Sequence, residues 1–426
     1  MKEELDKLKE HLEIIKPILD EKGKKTKRVE KSIEFIKNNS ILLPLVGINP
    51  EEYFGDLSNA LNKVKAVYIH IPFCKSLCTY CDFSKMYYFS KYANKYFNSL
   101  LKEFNKKYKG EEIETIYIGG GTPSMLSLEE LTKLFKITNK IKLKKDYEFT
   151  IECNVDDITL DKVKLFKENK VNRVSIGIQT FNEKTLKKMN RKHSYDSVKE
   201  KIKLLNDNGI NNINIDLIYA FPGTTLNDLK KDLDLFFSLN VKHISTYSLM
   251  IEPHTMLYIK KVKNIKEELD LEMYNLICEE MNKHGFNHYE VSNFAIPGYE
   301  SKHNLTYWNN EEYYGFGLAA SGYIDDTRYT NTLSMDKYLA NDFDGVKEEL
   351  TLKDKMVYEL ILGMRKIKGI NIENFNNKFN RILLENEIIK ELVKKGDLIV
   401  DENYLKIPYN KIYVQNEILE ELLDYE

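Results

Sequence analysis

The stretch Tyr68-Ile-His-Ile-Pro-Phe-Cys74-Lys-Ser-Leu-Cys78-Thr-Tyr-Cys81-Asp-Phe83 decides how this 426-residue chain is interpreted. It holds three of the protein's five cysteines within eight residues. The β-branched, apolar run that ends at Pro72 predicts a strand followed by an irregular loop. The three thiols are therefore expected to leave the carboxyl end of a strand on a loop that can wrap one inorganic centre.

Three cysteine thiolates suit a four-iron cubane in which one iron has no protein ligand. A closed zinc site uses four protein ligands, and no second ligand pair follows at the usual spacing. A disulfide would use two of the three thiols and would be unusual in a cytosolic chain. Chance burial seldom puts cysteines at this density in a loop after a strand. Ligand type and spacing favour an iron-sulfur cluster over these three alternatives.

The spacing CxxxCxxC, with Tyr80 before the last cysteine, resembles the signature of the radical S-adenosylmethionine (SAM) superfamily. In that superfamily the open iron chelates the amino and carboxylate groups of SAM, and reduction of the cluster cleaves SAM to a 5′-deoxyadenosyl radical. The run that begins at Tyr68 narrows the resemblance to the coproporphyrinogen dehydrogenase group, which includes HemW-type heme chaperones. The resemblance covers about residues 64–425. It implies that the cluster ligands are Cys74, Cys78 and Cys81, with Tyr68 and Tyr80 at the cofactor site.

Composition bounds the class of protein. Hydrophobic residues make up 42% and charged residues 31%, which is typical of a soluble globular chain. A formal net charge of −2 gives no indication of nucleic-acid binding. No apolar run approaches the ~20 residues that span a bilayer, and the charged start Met1-Lys-Glu-Glu-Leu-Asp is unlike a signal peptide. We therefore expect a cytoplasmic protein in which Cys153 and Cys278 pack as small hydrophobic residues.

Three domains are predicted along the chain. Apolar residues at helical spacing predict two helices separated by a break at Gly23, so residues 1–63 are expected to form a helical N-terminal extension. That extension is interpreted as a packing arm, with a substrate lid as the alternative. Residues 64–345 are expected to form the barrel and a substrate- or heme-facing segment. Residues 346–426 are expected to form a small α+β, winged-helix-like domain.

From residue 64 onward, short β-branched runs alternate with longer helical patterns, which is typical of βα units in a parallel sheet. The predicted strands are Ala66–Ile71, Thr115–Ile118, Glu148–Glu152, Arg173–Ile178, Asn212–Leu217 and His243–Ser248. Six such units match the partial (βα)6, TIM-like barrel of radical SAM enzymes. Functional residues of βα barrels gather at the carboxyl ends of strands, and the motifs described next all follow predicted strands.

A glycine-rich turn, Gly119-Gly120-Gly121-Thr122-Pro123, directly follows the second predicted strand. Glycines let a backbone approach a ligand closely, although a triplet alone can be no more than a tight turn. One βα unit after the cysteines, the triplet resembles the GGGTP element of the family, which binds the methionyl end of SAM. The resemblance implies that Gly120, Gly121 and Thr122 bind SAM.

Polar residues end the next three predicted strands: Glu152, Gln179 and Asp216, with Arg191 twelve residues past Gln179. Each residue alone could simply cap a helix. Together they match the family pattern in which a glutamate contacts the first SAM and a glutamine, an arginine and an aspartate line a second SAM site. Carboxylates suit the ribose hydroxyls and the ammonium group of SAM, and the guanidinium suits its carboxylate.

The segment Lys302-His303-Asn304-Leu-Thr-Tyr307-Trp308 contains the only tryptophan and resembles the HNxxYW stretch of the chaperone branch. His303 offers an imidazole to heme iron, and the aromatic residues offer faces to a flat macrocycle. The alternative is a histidine that is hydrogen-bonded in an ordered loop. The stretch Tyr247–Thr255 after the sixth strand also resembles that branch.

The last 80 residues change in pattern. They predict helices at Lys353–Lys366 and Glu385–Lys395, followed by two short strands joined at Asp401-Glu-Asn403. This order resembles the small C-terminal domain of the same family. Winged-helix shapes often bind DNA, but the nearly neutral charge makes that a minor alternative.

Two functions from different classes remain open. One is an enzyme, an oxygen-independent coproporphyrinogen III dehydrogenase, in which a radical abstracts hydrogen from a propionate and decarboxylation leaves a vinyl group. The other is a chaperone that binds heme and passes it to a hemoprotein. The oxidases typically carry Cys-Gly-Cys where this chain reads Cys81-Asp-Phe83, so we favour the chaperone, although the 63-residue extension is atypical of chaperones. Radical-based heme degradation is a third possibility, and a reductant such as flavodoxin or ferredoxin is an expected partner.

Overall fold

The computed structural model describes residues 2–19, 26–50, 52–54 and 63–425. The chain divides into two compact units, Met1–Val64 and Lys65–Glu426. Among the described residues, no helix combines the length and the apolar character that crossing a bilayer requires.

The first unit is helical. It contains α1 (Lys2–Leu19), α2 (Lys27–Asn38) and a 3₁₀ segment at Ser40–Val46. Helix α2 begins where the Thr26 hydroxyl accepts a hydrogen bond from the Val29 amide, which satisfies one of the free donors of the first turn. The small apolar core of the first unit is formed by Leu8, Ile15, Ile18, Val29, Ile33, Ile36, Leu43 and Tyr53. Both predicted helices are present, whereas the predicted break at Gly23 lies outside the described residues.

The remainder of the chain alternates strands and helices. The strands are β1 (Val64–Ile71), β2 (Phe73–Cys74), β3 (Met86–Tyr87), β4 (Glu112–Gly120), β5 (Lys142–Cys153), β6 (Arg173–Gln179), β7 (Asn212–Tyr219), β8 (His243–Ser248), β9 (Asn287–Glu290), β10 (Asn293–Ala295), β11 (Glu312–Phe316), β12 (Ser321–Ile324), β13 (Thr327–Thr330), β14 (Val346–Glu349), β15 (Ile370–Asn371), β16 (Ile399–Asp401) and β17 (Tyr404–Lys406). The helices are α3 (Ser90–Lys107), α4 (Leu128–Thr138), α5 (Leu160–Glu168), α6 (Glu183–Lys188), α7 (Tyr195–Asp207), α8 (Leu226–Ser238), α9 (Met256–Ile259), α10 (Glu267–Lys283), α11 (Lys302–Trp308), α12 (Met335–Leu339), α13 (Leu352–Gly363), α14 (Ile372–Phe379), α15 (Glu387–Lys395) and α16 (Gln415–Glu421).

Twelve of these strands form one sheet, in the order β14-β13-β12-β11-β1-β4-β5-β6-β7-β8-β10-β9. The six strands from β1 to β8 in that order are parallel, and all six were predicted from the sequence. Strands β1 and β8 are not neighbours in the sheet, so the described parallel strands form a partial barrel. The antiparallel strands on either side of these six were not predicted.

The parallel strands carry polar and apolar residues in alternation, as the run Glu148-Phe-Thr-Ile-Glu152 of β5 illustrates. Phe149 packs against Phe135 of α4, which also contacts Phe166 of α5, so the apolar side of the strand faces the helices. The polar side faces the barrel interior. Alternation in a sheet often means that one face meets solvent, but here both faces are buried and the polar one lines a site.

Helices α4, α7 and α8 each begin at a capping box, in which a Ser or Thr hydroxyl and the side chain three residues later satisfy each other's backbone amides. These local signals fix where each helix begins after its strand. At the end of the chain, β15, β17 and β16 form a separate three-stranded sheet beside α13 to α15. The predicted helices and hairpin are present there, and β15 was not predicted.

Candidate cofactor site at the barrel mouth

The loop with the three cysteines is fixed at both ends by backbone hydrogen bonds. The Gly121 amide donates to Ile71 O at 2.7 Å, and the Met86 amide donates to Pro72 O at 2.7 Å. His70 holds the far side of the loop, because its Nε2 lies 2.7 Å from Ser84 O. The strand end, the glycine turn and the return of the loop therefore form one framework around the cysteines.

A cavity of about 350 Å³ opens at the carboxyl ends of the parallel strands. Its lining brings together eleven of the thirteen residues that the sequence predicted for the site: Cys74, Cys78, Tyr80, Cys81, Gly120, Gly121, Thr122, Glu152, Gln179, Arg191 and Asp216. These residues come from five strand ends that are far apart in sequence. The cavity, hereafter the mouth, is the position at which βα barrels place their functional groups.

Two of the three cysteine thiols, those of Cys74 and Cys81, are costly to ionise without a metal. Burial raises the pKa of Cys74 to about 11 despite a hydrogen bond from Thr122 Oγ1 at 3.6 Å, and burial also raises the pKa of Cys81. A bound cation reverses such a shift, because it stabilises the thiolate directly. Among the described residues, no three His, Cys, Asp or Glu side chains converge as ligands of a single metal ion would. Thiols that each bind a different iron of one cluster do not need to converge on a point.

The glycine turn brings backbone against the cysteine loop. A Cβ atom on Gly121 would lie 2.6 Å from Phe73 O and 3.0 Å from Cys74 Sγ. Gly120 has a φ of 117°, and a Cβ there would lie 2.7 Å from the His70 ring. The close approach alone requires glycine at position 121, whereas Gly120 is required by both the close approach and the backbone conformation.

Glu152 is held with both carboxylate oxygens occupied. Tyr117 Oη donates to Glu152 Oε1 at 2.9 Å, and the Gly120 amide donates to Oε2 at 3.2 Å. Burial, and then the neighbouring Asp216, raise the pKa of Glu152 to about 7. A cationic or hydrogen-donating ligand in the mouth would restore the ionised form.

The opposite side of the mouth is organised by Arg191. Its Nε donates to Tyr80 Oη at 3.2 Å, and its Nη1 donates to Asn154 Oδ1 at 3.1 Å and to Gly177 O at 2.7 Å. Through Arg191, Tyr80, which lies between the second and third cysteines, is linked to β6. The guanidinium is a fixed positive charge facing a cavity that also contains two carboxyl groups.

Asp216 lies deep in the mouth. Asn214 Nδ2 donates to Oδ1 at 2.7 Å and Ser175 Oγ donates to Oδ2 at 3.1 Å. Burial raises the pKa of Asp216, and these hydrogen bonds oppose that shift. Gln179, at the end of β6, adopts a left-handed backbone with a φ of 73°, a conformation that a non-glycine residue adopts only where its surroundings require it.

Two predicted residues lie outside the cavity lining. Tyr68 directs its hydroxyl to His70 Nδ1 at 2.9 Å, so it supports the histidine that holds the cysteine loop. His303 is 1% exposed, with Nδ1 2.8 Å from Thr115 Oγ1 and Nε2 2.8 Å from Tyr307 Oη. Both ring nitrogens are hydrogen-bonded within the protein in this conformation, so axial ligation of heme iron by His303, which stays a prediction, would require the ring to leave these two partners.

His303 belongs instead to the barrel floor, which we define as Thr115, Glu148, Arg173 and His303. Glu148 accepts hydrogen bonds from the backbone amides of Lys302 and His303 at 3.1 and 3.2 Å, which docks the start of α11 under the strands. Burial lowers the pKa of His303 to about 3, so the ring is neutral. Its ring stacks on Tyr117 with centroids 5.1 Å apart, and Tyr117 reaches up to Glu152.

Sequence reasoning missed several residues of the mouth, including Tyr117, Asn154, Ser175 and Tyr247. Asn154 lies two residues beyond the predicted strand that ends at Glu152, and Tyr247 lies in a stretch already singled out. Their position at strand ends was a usable signal. Tyr117 lies inside a strand, and the alternation of polar and apolar residues in β4 is the only local indication that it faces inward.

Comparisons with known proteins identify the family of this chain. Residues 68–236 match the family model of the radical SAM superfamily. A heme chaperone HemW from Lactococcus lactis is 41% identical over 351 residues, which cover 80% of this chain and 92% of that protein. A heme chaperone HemW from Bacillus subtilis is 39% identical over 351 residues, which cover 78% of this chain and 92% of that protein.

Among solved structures, the coproporphyrinogen III oxidase HemN from Escherichia coli, a radical SAM enzyme, is similar with a TM-score of 0.76. The two chains are 20% identical, and the match covers 85% of this chain and 91% of that one. At this identity the likeness concerns the fold alone. The predicted radical SAM barrel is confirmed.

Proposed function

We propose, because this chain belongs to the HemW heme chaperone family, that it binds heme and delivers it to hemoproteins, and that it carries a SAM-binding 4Fe-4S cluster. The observation that carries the proposal is the likeness to the Lactococcus lactis chaperone along nearly the whole of that protein. Membership of the radical SAM superfamily implies both the cluster and SAM. The assignment of individual residues to these groups is part of the proposal.

The donor set at the mouth fits a cluster with three protein ligands. Cys74, Cys78 and Cys81 all line the cavity, and three thiolates are the ligand set of a cubane with one open iron. Lys85 Nζ donates to Cys81 O and to Phe83 O, which fixes the end of the loop. When bound, such a cluster supplies an open iron for SAM and an electron for its reductive cleavage.

The remaining mouth residues fit SAM. Gly120 and Gly121 leave room for a ligand against the backbone, and Thr122 and Tyr80 lie beside them. Glu152 offers a carboxylate that a cationic ligand would ionise, and Arg191 offers a fixed positive charge to a ligand carboxylate. Gln179 and Asp216 line the deeper part of the cavity, where a ribose or a second SAM would lie.

We infer different roles for the two predicted residues outside the mouth. Tyr68 positions His70 and thus the cysteine loop. His303 positions Tyr117, whose hydroxyl in turn holds the Glu152 carboxylate. The HNxxYW segment of this chain then acts on the SAM pocket from below, and heme contacts the protein elsewhere.

The experiment that tests the function uses anaerobically reconstituted protein. It is titrated with hemin, and the loaded protein is then mixed with an apo-hemoprotein such as apomyoglobin. A chaperone should give a saturable Soret change and should then convert the apo-hemoprotein to its heme-bound spectrum. Incubation of the same preparation with coproporphyrinogen III, SAM and reductant should give no protoporphyrinogen. Formation of that product without heme transfer would favour the dehydrogenase alternative.

A further inference from the structure

The mouth is bordered by an exposed apolar surface. We define the rim patch as Phe83, Met250, Met256, Tyr258 and Ile259, which are 72%, 68%, 44%, 54% and 61% exposed. Phe83 and Met250 also line the cavity, so the patch begins where the mouth opens. Exposed apolar side chains that are contiguous with a binding cavity indicate a ligand or partner rather than ordinary surface.

The rim patch rests on a buried support. Between its exposed residues, Leu257 is 5% exposed and packs with Met189, Phe221 and Leu249. The Leu257 amide donates to Thr79 O at 3.0 Å, within the cysteine loop. The segment after β8 is therefore hydrogen-bonded to the cysteine loop, and a buried apolar cluster supports its exposed side chains.

Histidine accessibility singles out one position beside this patch. All eight histidines lie within the described residues, and four have both ring nitrogens hydrogen-bonded: His70, His243, His288 and His303. His193 is buried, and His11 and His284 each have one nitrogen paired and the ring stacked on a phenylalanine. His254 is exposed and forms no side-chain hydrogen bond or ring contact with the described chain.

The backbone at His254 is one that glycine or asparagine would adopt more easily. The Thr255 amide donates to Glu252 O at 3.2 Å and closes a turn with Pro253 at its second position. His254 occupies the third position with a φ of 73°, where residues with a side chain are disfavoured. Thr255 Oγ1 donates to Glu252 O at 2.8 Å and caps α9, so the turn is held from both sides.

Charge completes the pattern. Residues 247–266 contain four lysines and one acidic residue, Glu252. Lys260, Lys261 and Lys263 are exposed directly after the rim patch. An apolar surface, an available imidazole and adjacent cations are together complementary to a flat apolar macrocycle with a central iron and two carboxylates.

We propose that heme binds on the rim patch, with His254 as an axial ligand of its iron and the lysines that follow α9 paired with its propionates. This inference rests on the proposed heme-chaperone function and locates its ligand. Met250 and Met256 present thioethers on the same surface, where they can pack against the apolar macrocycle.

The test uses full-length, anaerobically reconstituted protein and hemin. His254→Gly and His254→Asn remove the imidazole but suit the left-handed backbone, so the variants should keep the thermal midpoint of the parent. Each should raise the dissociation constant for hemin at least ten-fold and remove the imidazole-ligated Soret and electron paramagnetic resonance signals. His284→Asn is the matched control and should change neither.

A second arm separates propionate pairing from apolar contact. The double variant Lys260→Gln with Lys261→Gln should bind hemin several-fold more weakly and bind heme dimethyl ester as the parent does. If both His254 variants bind hemin with the parent's affinity and spectrum, or if the lysine variant weakens both ligands equally, the rim site is wrong while heme binding stands. Failure of the parent to bind hemin would instead remove the proposed function and this inference with it.

Discussion

The barrel floor and the mouth are built from the same kinds of residue, but their polar groups are used differently. At the floor, the two nitrogens of His303 and both oxygens of Glu148 have partners inside the protein. At the mouth, the carboxylates of Glu152 and Asp216 also accept hydrogen bonds, but they face a cavity and burial raises their pKa values. Beside the mouth, His254 has no side-chain partner in the described chain. Polar residues that satisfy one another support a fold, whereas those facing a cavity are available to a ligand.

The largest effect is expected at the cysteines, where a substitution should prevent cluster binding in the mouth and leave the structure of the floor intact. Each single variant Cys74→Ala, Cys78→Ala and Cys81→Ala should lose the visible charge-transfer absorption of the reconstituted cluster. Iron analysis and anaerobic spectra measure this loss. Far-ultraviolet circular dichroism should be unchanged, because alanine keeps the backbone pairing of Cys74 in β2, and Cys78 and Cys81 lie in the loop. Retention of about four irons per chain in any variant would show that its cysteine is not a ligand.

A substitution in the floor should have the opposite effect: it should lower the stability of the protein and leave the ligand-binding residues of the mouth in place. Glu148→Ala leaves the amides of Lys302 and His303 without acceptors and removes the carboxylate 4.0 Å from the buried Arg173. We expect a loss of about 3–5 kcal/mol in the free energy of unfolding, measured with urea. Glu129→Ala, at an exposed position on α4, is the control and should leave the urea midpoint unchanged. Equal midpoints for the two variants would contradict the structural role of the floor.

The charged residues of the mouth come next. Glu152→Ala and Arg191→Ala should each weaken SAM binding by roughly 1.5–3 kcal/mol, about ten-fold or more, because each removes a hydrogen bond to a charged group. Calorimetry on the cluster-loaded protein measures the change. Undiminished SAM affinity in both variants would show that Glu152 and Arg191 do not bind SAM. It would also contradict the claim that the mouth is the ligand-binding region.

A pH titration sharpens the same point. The pKa of Glu152 is about 7, so in the free protein the carboxyl group is protonated at lower pH. A ligand that requires the carboxylate must displace that proton. SAM affinity should therefore rise with pH up to about 7, by as much as ten-fold per unit, and then level off. Glu152→Gln should lose this part of the slope. Any titration of SAM itself is common to both proteins, so identical profiles would assign the pH dependence to SAM alone.

The smallest effect tests whether floor and mouth communicate. His303→Gln should loosen Tyr117 and so weaken SAM binding by about two- to five-fold, which is less than direct loss of a charged contact. Heme affinity and the Soret maximum should stay as in the parent. If the substitution instead removes the heme spectrum and leaves SAM affinity intact, the floor opens in solution and the original assignment of His303 as a heme ligand is restored.

Much of this architecture could be predicted because it follows from local patterns. Each parallel strand is a β-branched run, and the GGGTP turn and Glu152 come at or beyond strand ends, where chain order alone fixes their position. A hydrogen-bonded His303 was the alternative in the sequence analysis, but its partner could not be predicted, because Thr115 lies 188 residues away and no local pattern brings the two together. The strands β11 to β14 were missed for the same reason, since sheet pairing depends on distant partners.

The hydrogen bond from the Leu257 amide to Thr79 O has a thermodynamic consequence. It joins the segment that carries the rim patch to the loop that carries the cysteines, so the two proposed binding sites share one structural element. If bound heme raises the affinity for SAM by some factor, bound SAM must raise the affinity for heme by the same factor, because the coupling free energy is reciprocal. Loss or cleavage of SAM would then lower heme affinity, and cofactor occupancy would set when the cargo is released.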